Sequence, residues 1–248
     1  MAGRIRIRLS PAILCMSLPP DSQPADTAPS RWVRLRERLL SSRVGLPLLV
    51  AALMLLLVWW WRPLLLVPGT QSLVMQGGDP YLRALMRTIS ASESNVLRPY
   101  HVLHGSSFVW SLDTHPNRCE SIARGPNRGN CSSAAGRYQL LNSTWTALAL
   151  RYHPDRIPGV TEDSSLSFQP VYQDMVVYAW LADPVVWRTD FSSQLRQGKV
   201  QTVLRRLSAT WTSLGYGIET NSMSRELPSI YKRVLREELA LAGQPPQD

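Results

Sequence analysis

From Val44 to Trp61 the chain runs for 18 residues without a charge, and leucine dominates the run. No other stretch restricts the fold as tightly. As a helix rising about 1.5 Å per residue it measures roughly 27 Å, close to the hydrocarbon thickness of a bilayer. Trp59, Trp60 and Trp61 close the run, as expected for aromatic rings at a membrane interface. Arg62 and Pro63 follow, and Leu64 to Val67 is a second short apolar stretch. Arg31, Arg34, Arg36, Arg38 and Arg43 precede it. Such an excess holds the N-terminal side in the cytoplasm. Residues 44–67 are therefore expected as a single transmembrane signal anchor, with residues 68–248 facing outward. A buried core helix fits the basic flank and aromatic cap poorly. A cleavable signal peptide fits poorly too, because bulky Trp and Arg stand where small residues would precede a cut.

The rest divides around that anchor. Residues 1–43 are expected as a disordered basic cytoplasmic tail, with Pro19, Pro20, Pro24 and Pro29 opposing any long helix. Of the formal charge of +9, residues 1–45 carry +5, so the surplus belongs mainly to the tail. This placement, with no zinc-finger, RNP-type or helix-turn-helix signature, argues against a nucleic-acid partner. Residues 68–78, with Gly69, Gly77 and Gly78, are expected as a linker. A catalytic domain then spans 79–248.

That domain reads as α+β and mostly helical. Asp79-Pro80 is a helix start, followed by Leu82, Leu85, Met86 and Ile89 at helical spacing. Asn142 is expected to cap a helix carrying Trp145, Leu148, Ala149 and Tyr152. Phe168, Val171, Tyr172, Met175 and Ala179 form a third stripe. Val200, Val203, Leu204, Leu207, Trp211 and Leu214 form the longest, and Ile230, Tyr231, Val234 and Leu235 the last. Between the first two helices, Tyr100 to Trp110 reads as a short strand within a loop-rich insertion.

Glu93 stands out. It follows Leu82 by eleven residues, three helical turns plus about 20°, so it lies on the apolar stripe. A carboxyl group on a buried face, near a helix C-terminus, holds its proton more tightly and suits general-acid catalysis. The competing reading is an ion pair with Arg87 or Arg98. His101, His104, His115 and His153, with Cys119 and Cys131, match no standard zinc spacing, so no metal and no cofactor is expected. In an outward compartment Cys119 and Cys131 are expected to form a disulfide, while Cys15 stays reduced.

Ser92-Glu93-Ser94, then Ala135-Gly136-Arg137-Tyr138-Gln139-Leu140-Leu141 and Trp145, resemble the phage lambda endolysin family of lysozyme-like lytic transglycosylases. The likeness continues through Tyr100-His101-Val102, Asp113, His115-Pro116, Trp211 and Gly215-Tyr216-Gly217, over about residues 82–240. It implies a lysozyme-like domain with Glu93 as the catalytic acid. It also implies Ser94, Gly136, Arg137, Tyr138, Gln139 and Tyr216 at the substrate, in a cleft for peptidoglycan strands. The family has Gly after the catalytic Glu; Ser94 stands here. Hydrolysis usually needs a second carboxylate, and Asp113 and Glu219 are weak candidates. The resemblance thus implies a transglycosylase acting through one Glu on the MurNAc-GlcNAc bond. A hydrolytic lysozyme and a non-catalytic peptidoglycan-binding protein are the alternatives. No obligate protein partner is evident. The expected location is the bacterial inner (cytoplasmic) membrane, with the catalytic domain periplasmic or extracytoplasmic.

Overall fold

The computed structural model describes residues 45–65, 68–123, 125, 127–160, 165–217 and 223–244, without side chains for 58–65 and 68. The tail 1–43, Cys15, Glu219 and the end of the second apolar stretch lie outside the described residues. The chain divides into two units, Met1–Trp59 and Trp60–Asp248. The apolar run forms helix α1, Gly45–Leu65. Leu46, Leu48, Leu53, Leu55 and Leu56 are exposed on it. Among the described residues no helix is long and apolar enough to cross a membrane, the side chains of α1 being described only to Leu57.

The second unit is built around α2, Pro80–Glu93. Its start is the one the sequence dictates. Asp79 Oδ1 accepts the Tyr81 N–H at 2.9 Å, and Pro80 occupies a position where no N–H is needed. Burial pushes the Asp79 carboxyl up, but hydrogen bonds from Arg196, Ser192 and the Tyr81 amide outweigh it and hold it below the usual value. Leu82, Leu85, Met86 and Ile89 are buried. Along α2 lies α8, Leu227–Leu241. Arg83 Nε meets Glu238 Oε2 at 2.5 Å, Arg87 Nη1 meets Glu238 Oε1 at 2.9 Å, and Arg87 also pairs with Glu237. Arg87 is thereby committed to α8, and Arg98 lies over the Trp110 ring at 5.5 Å. Both cations proposed as partners for Glu93 are engaged elsewhere.

Between these two helices run α3 (Asn142–Tyr152), α4 (Pro170–Ala182), α5 (Pro184–Trp187), α6 (Phe191–Arg196) and α7 (Val200–Leu207). Three expectations need correction. Asn142 does not cap α3; it is the first helical residue, and its N–H is taken by Ser133 Oγ at 3.1 Å. The buried face of α4 carries Gln173, Asp174, Val176, Val177, Trp180 and Leu181, while Met175 of the expected stripe is exposed. The long Val200 stripe is broken: α7 ends at Leu207, and Trp211 and Leu214 are buried around a separate 3-10 turn, Thr212–Leu214.

The expected strand at Tyr100–Trp110 is two 3-10 turns, Pro99–His101 and His104–Ser106, joined to their surroundings by isolated bridges. Gly105, with φ of 75°, turns the chain there. The two-stranded sheet is β1 (Glu120–Ser121) against β2 (Cys131–Ser132), antiparallel, with Glu120 opposite Ser132. Cys119 and Cys131 form a disulfide, their Cα atoms 5.2 Å apart, and close this hairpin.

Residues 68–78, expected as a linker, include a packed strap. Leu73 and Met75 are core residues. The Gly69 N–H donates to Asn95 Oδ1 at 3.1 Å, and the Gly69 carbonyl accepts from Ser90 Oγ at 2.7 Å. Arg87 Nε donates to the Thr70 carbonyl at 2.8 Å. A side chain at position 69 would come within 2.8 Å of the Ser90 and Ser94 carbonyls, so only glycine fits against the end of α2. Residues from Gly69 to Met75 thus pack on the domain whose expected start is Asp79. A backbone that makes no ladder of its own is held because side chains from distant elements answer its polar groups.

Candidate active site

Helix α2 stops at Glu93, with Ser94 as its C-cap. Ser94 secures that end: its N–H donates to the Ser90 carbonyl at 2.8 Å, and its hydroxyl to the Arg137 carbonyl at 2.7 Å. Glu93 itself is half-buried and opens on a cleft of about 1040 Å³. Asn95 and Val96 continue one wall, with Val102 to Ser106 and Gln139 beside them. The disulfide-closed hairpin supplies Ser121 to Ala123 and Ser132, and Thr210 to Ser213 face it. Ser213 Oγ donates to Glu93 Oε1, and Ser92 Oγ donates to Ser213 Oγ at 2.7 Å. Among the described residues lining the cleft, Glu93 is the sole carboxylate, and His104 is the other ionisable side chain.

The Ala135–Leu141 string is a tight turn closed by paired hydrogen bonds of 3.0 Å between Ala135 and Leu140. Gly136 has φ of 74°, and a Cβ there would collide with Gln173 and Phe168. The glycine is required by packing behind the turn. Tyr138 and Arg137 also point away from the cleft, at 1% and 0% exposure. Tyr138 OH donates to Asp174 Oδ1 at 2.7 Å. Arg137 donates to Tyr100 OH at 2.8 Å, to the Ser72 carbonyl at 3.1 Å and to the Gln71 carbonyl. Arg137 and Tyr138, expected at the substrate, make internal contacts that hold the turn, and Gly136 packs against Gln173 and Phe168. Gln139 does line the cleft, its amide anchored on the Val102 and Gly136 carbonyls at 3.2 and 3.0 Å. Ser94 borders the cleft while its hydroxyl serves the turn.

Tyr216 is exposed, with φ of 67° and the Arg205 guanidinium 5.2 Å from its ring centre. It is not among the described lining residues. Asp113 is exposed and accepts from Ser111 Oγ at 2.8 Å, the contact of a turn residue. His115 is buried behind the turn, its Nε2 on the Leu140 carbonyl at 2.9 Å and its Nδ1 accepting from Asn117 at 3.1 Å. Burial, against the smaller pull of that carbonyl, holds its pKa below the usual value. Sequence reasoning missed Asn95 and Ser213 at the cleft and Gln173 and Asp174 beneath it; it quoted Ser92 and Tyr100 only as motif residues and weighed His104 only for a metal.

A family model described as Endolysin matches residues 83–236. The chain belongs to the Endolysin family. It is a peptidoglycan-cleaving enzyme. Among solved structures, bacteriophage lambda lysozyme complexed with a chitohexasaccharide is similar at 23% identity and a TM-score of 0.47. That match covers 64% of this chain and 97% of the lambda chain. No curated protein matches the chain. The family match starts within α2, so the strap and α1 lie outside the endolysin region.

Proposed function

We propose that this endolysin cleaves the MurNAc-GlcNAc bond by the transglycosylase route, with Glu93 giving and then taking the proton. The single cleft carboxylate among the described lining residues carries this reading, since hydrolysis ordinarily uses two. Glu93 transfers its proton to the glycosidic oxygen, and the bond from that oxygen to the muramoyl C1 breaks. The 6-hydroxyl of the same muramoyl residue closes on C1, and its proton passes to the Glu93 carboxylate. The acid is restored, no water is consumed, and a 1,6-anhydro end remains. Mass spectrometry of cell wall digested by the full chain in detergent is expected to find anhydro-muramoyl ends. Products heavier by one water, with reducing ends, would make the enzyme a hydrolase.

The tether is part of the proposal. The uncharged run, its helical form, the leucines exposed along α1 and the arginines ahead of it support a single membrane anchor. The disulfide suits a domain on the outer face of the bacterial cytoplasmic membrane. In fractionated cells the full chain is expected in the membrane pellet after carbonate washing. A chain lacking residues 1–67 is expected in the soluble fraction. Recovery of the full chain in the soluble fraction would remove the tether from this reading.

A further inference from the structure

We infer that Ser213 is a positioning residue for Glu93, which its hydroxyl orients while stabilising the ionised carboxylate. The inference rests on the reading of Glu93 as the acid. Ser213 comes from the wall opposite α2, in the turn Thr212–Leu214. That turn is fixed on both sides. Trp211 Nε1 donates to the Tyr138 carbonyl at 2.9 Å, and Ser224 Oγ donates to the Ser213 carbonyl at 3.0 Å. Leu214 is fully buried. The hydroxyl is therefore delivered by a clamped backbone.

The direction of the hydrogen bonds follows from chemistry. An ionised carboxylate only accepts, so the Ser213 hydrogen points at Glu93 Oε1. Ser213 Oγ in turn accepts from Ser92 Oγ, one residue before Glu93 on α2. Two hydroxyls in series polarise one another and strengthen the second bond. A hydrogen bond to an ionised carboxylate is stronger than one to its neutral form. Ser213 thus favours the state that exists after Glu93 has given its proton. Among the described residues, two other charged or titratable groups stand near the site. His104 faces the cleft from its 3-10 turn, and Arg137 lies behind Ser94, committed to the strap.

The test uses the full chain in detergent, acting on solubilised glycan strands. Ser213→Ala is expected to lower kcat by about 10–100-fold while KM stays within about twofold. The alkaline limb of its pH profile should move to higher pH, because the carboxyl loses a donor that favours ionisation. Ser213→Thr keeps the hydroxyl and should recover most of kcat and the original limb. Ser92→Ala should shift both in the same direction by less, because it acts through Ser213. Wild-type kcat and pH profile in Ser213→Ala would overturn the inference. So would equal losses in the Ala and Thr variants that follow their thermal unfolding. Glu93→Gln measured alongside separates the two claims: activity there removes the Glu93 reading, whereas an inactive Glu93→Gln beside a normal Ser213→Ala removes only the role of Ser213.

Discussion

Glu93→Gln is expected to lower turnover on cell-wall glycan by about 10²–10⁴-fold, the usual contribution of a positioned general acid, and to leave thermal unfolding unchanged. The substitution keeps size and shape. Its amide oxygen still accepts the Ser213 hydroxyl where Oε1 does now. Glu93 is half-buried at the end of α2 and belongs to no part of the core, so the fold loses little. What disappears is the exchangeable proton. In a two-carboxylate glycosidase the second group would still stabilise charge at the sugar. Here Glu93 is the sole carboxylate among the described lining residues, so on the proposed route the giving and the taking of the proton are lost together. Normal clearing of cell wall in a zymogram by a folded Glu93→Gln chain would remove the catalytic reading.

The placement of Glu93 was legible because it depends on one helix. Asp79 and Pro80 set the start of α2, and the apolar period then dictates which face residue 93 shares. The Ala135–Leu141 string was legible as a landmark, but its internal contacts were not. Arg137, Tyr138 and Gly136 read as ligands because they are polar or permissive and sit near the site in the family pattern. Their partners are far away in sequence: the strap supplies the Gln71 and Ser72 carbonyls, and α4 supplies Gln173 and Asp174. Local pattern carries no trace of such pairings. The misread face of α4 has the same origin. Gln173 and Asp174 count as solvent-facing in a hydropathy pattern, yet both are fully buried with their hydrogen bonds satisfied. Ser213 had no signal at all, being small and neutral beside a buried Trp.

Those distant pairings give the second large effect. Asp174→Ala is expected to destabilise the domain by about 3–5 kcal/mol, the cost of removing one partner from a buried charge network. Asp174 is 0% exposed. Its Oδ2 accepts from Tyr100 OH and the Val74 N–H at 2.7 Å each and from the Met75 N–H at 3.2 Å; its Oδ1 accepts from Tyr138 OH at 2.7 Å. Burial, opposed by Arg137 and reinforced by Asp174, pushes the Tyr100 phenol up. Burial and Asp174 do the same to Tyr138. Both phenols therefore remain donors. Tyr100 passes the Asp174 charge on to Arg137 through its 2.8 Å contact. Without the carboxylate, Arg137 is a buried cation lacking its counter-charge, and the Val74 and Met75 amides lose their acceptor. The melting temperature should fall by roughly 6–20 °C for a domain of this size. Asp174→Asn should recover only part of this, since its amide nitrogen presents hydrogens to neighbours that donate. A chain beginning at Asp79 should lose stability for the same reason, because it removes the strap and strands Arg137. An Asp174→Ala chain melting within about 2 °C of wild type would show that the strap is held by apolar packing of Leu73 and Met75 instead of by the buried charges.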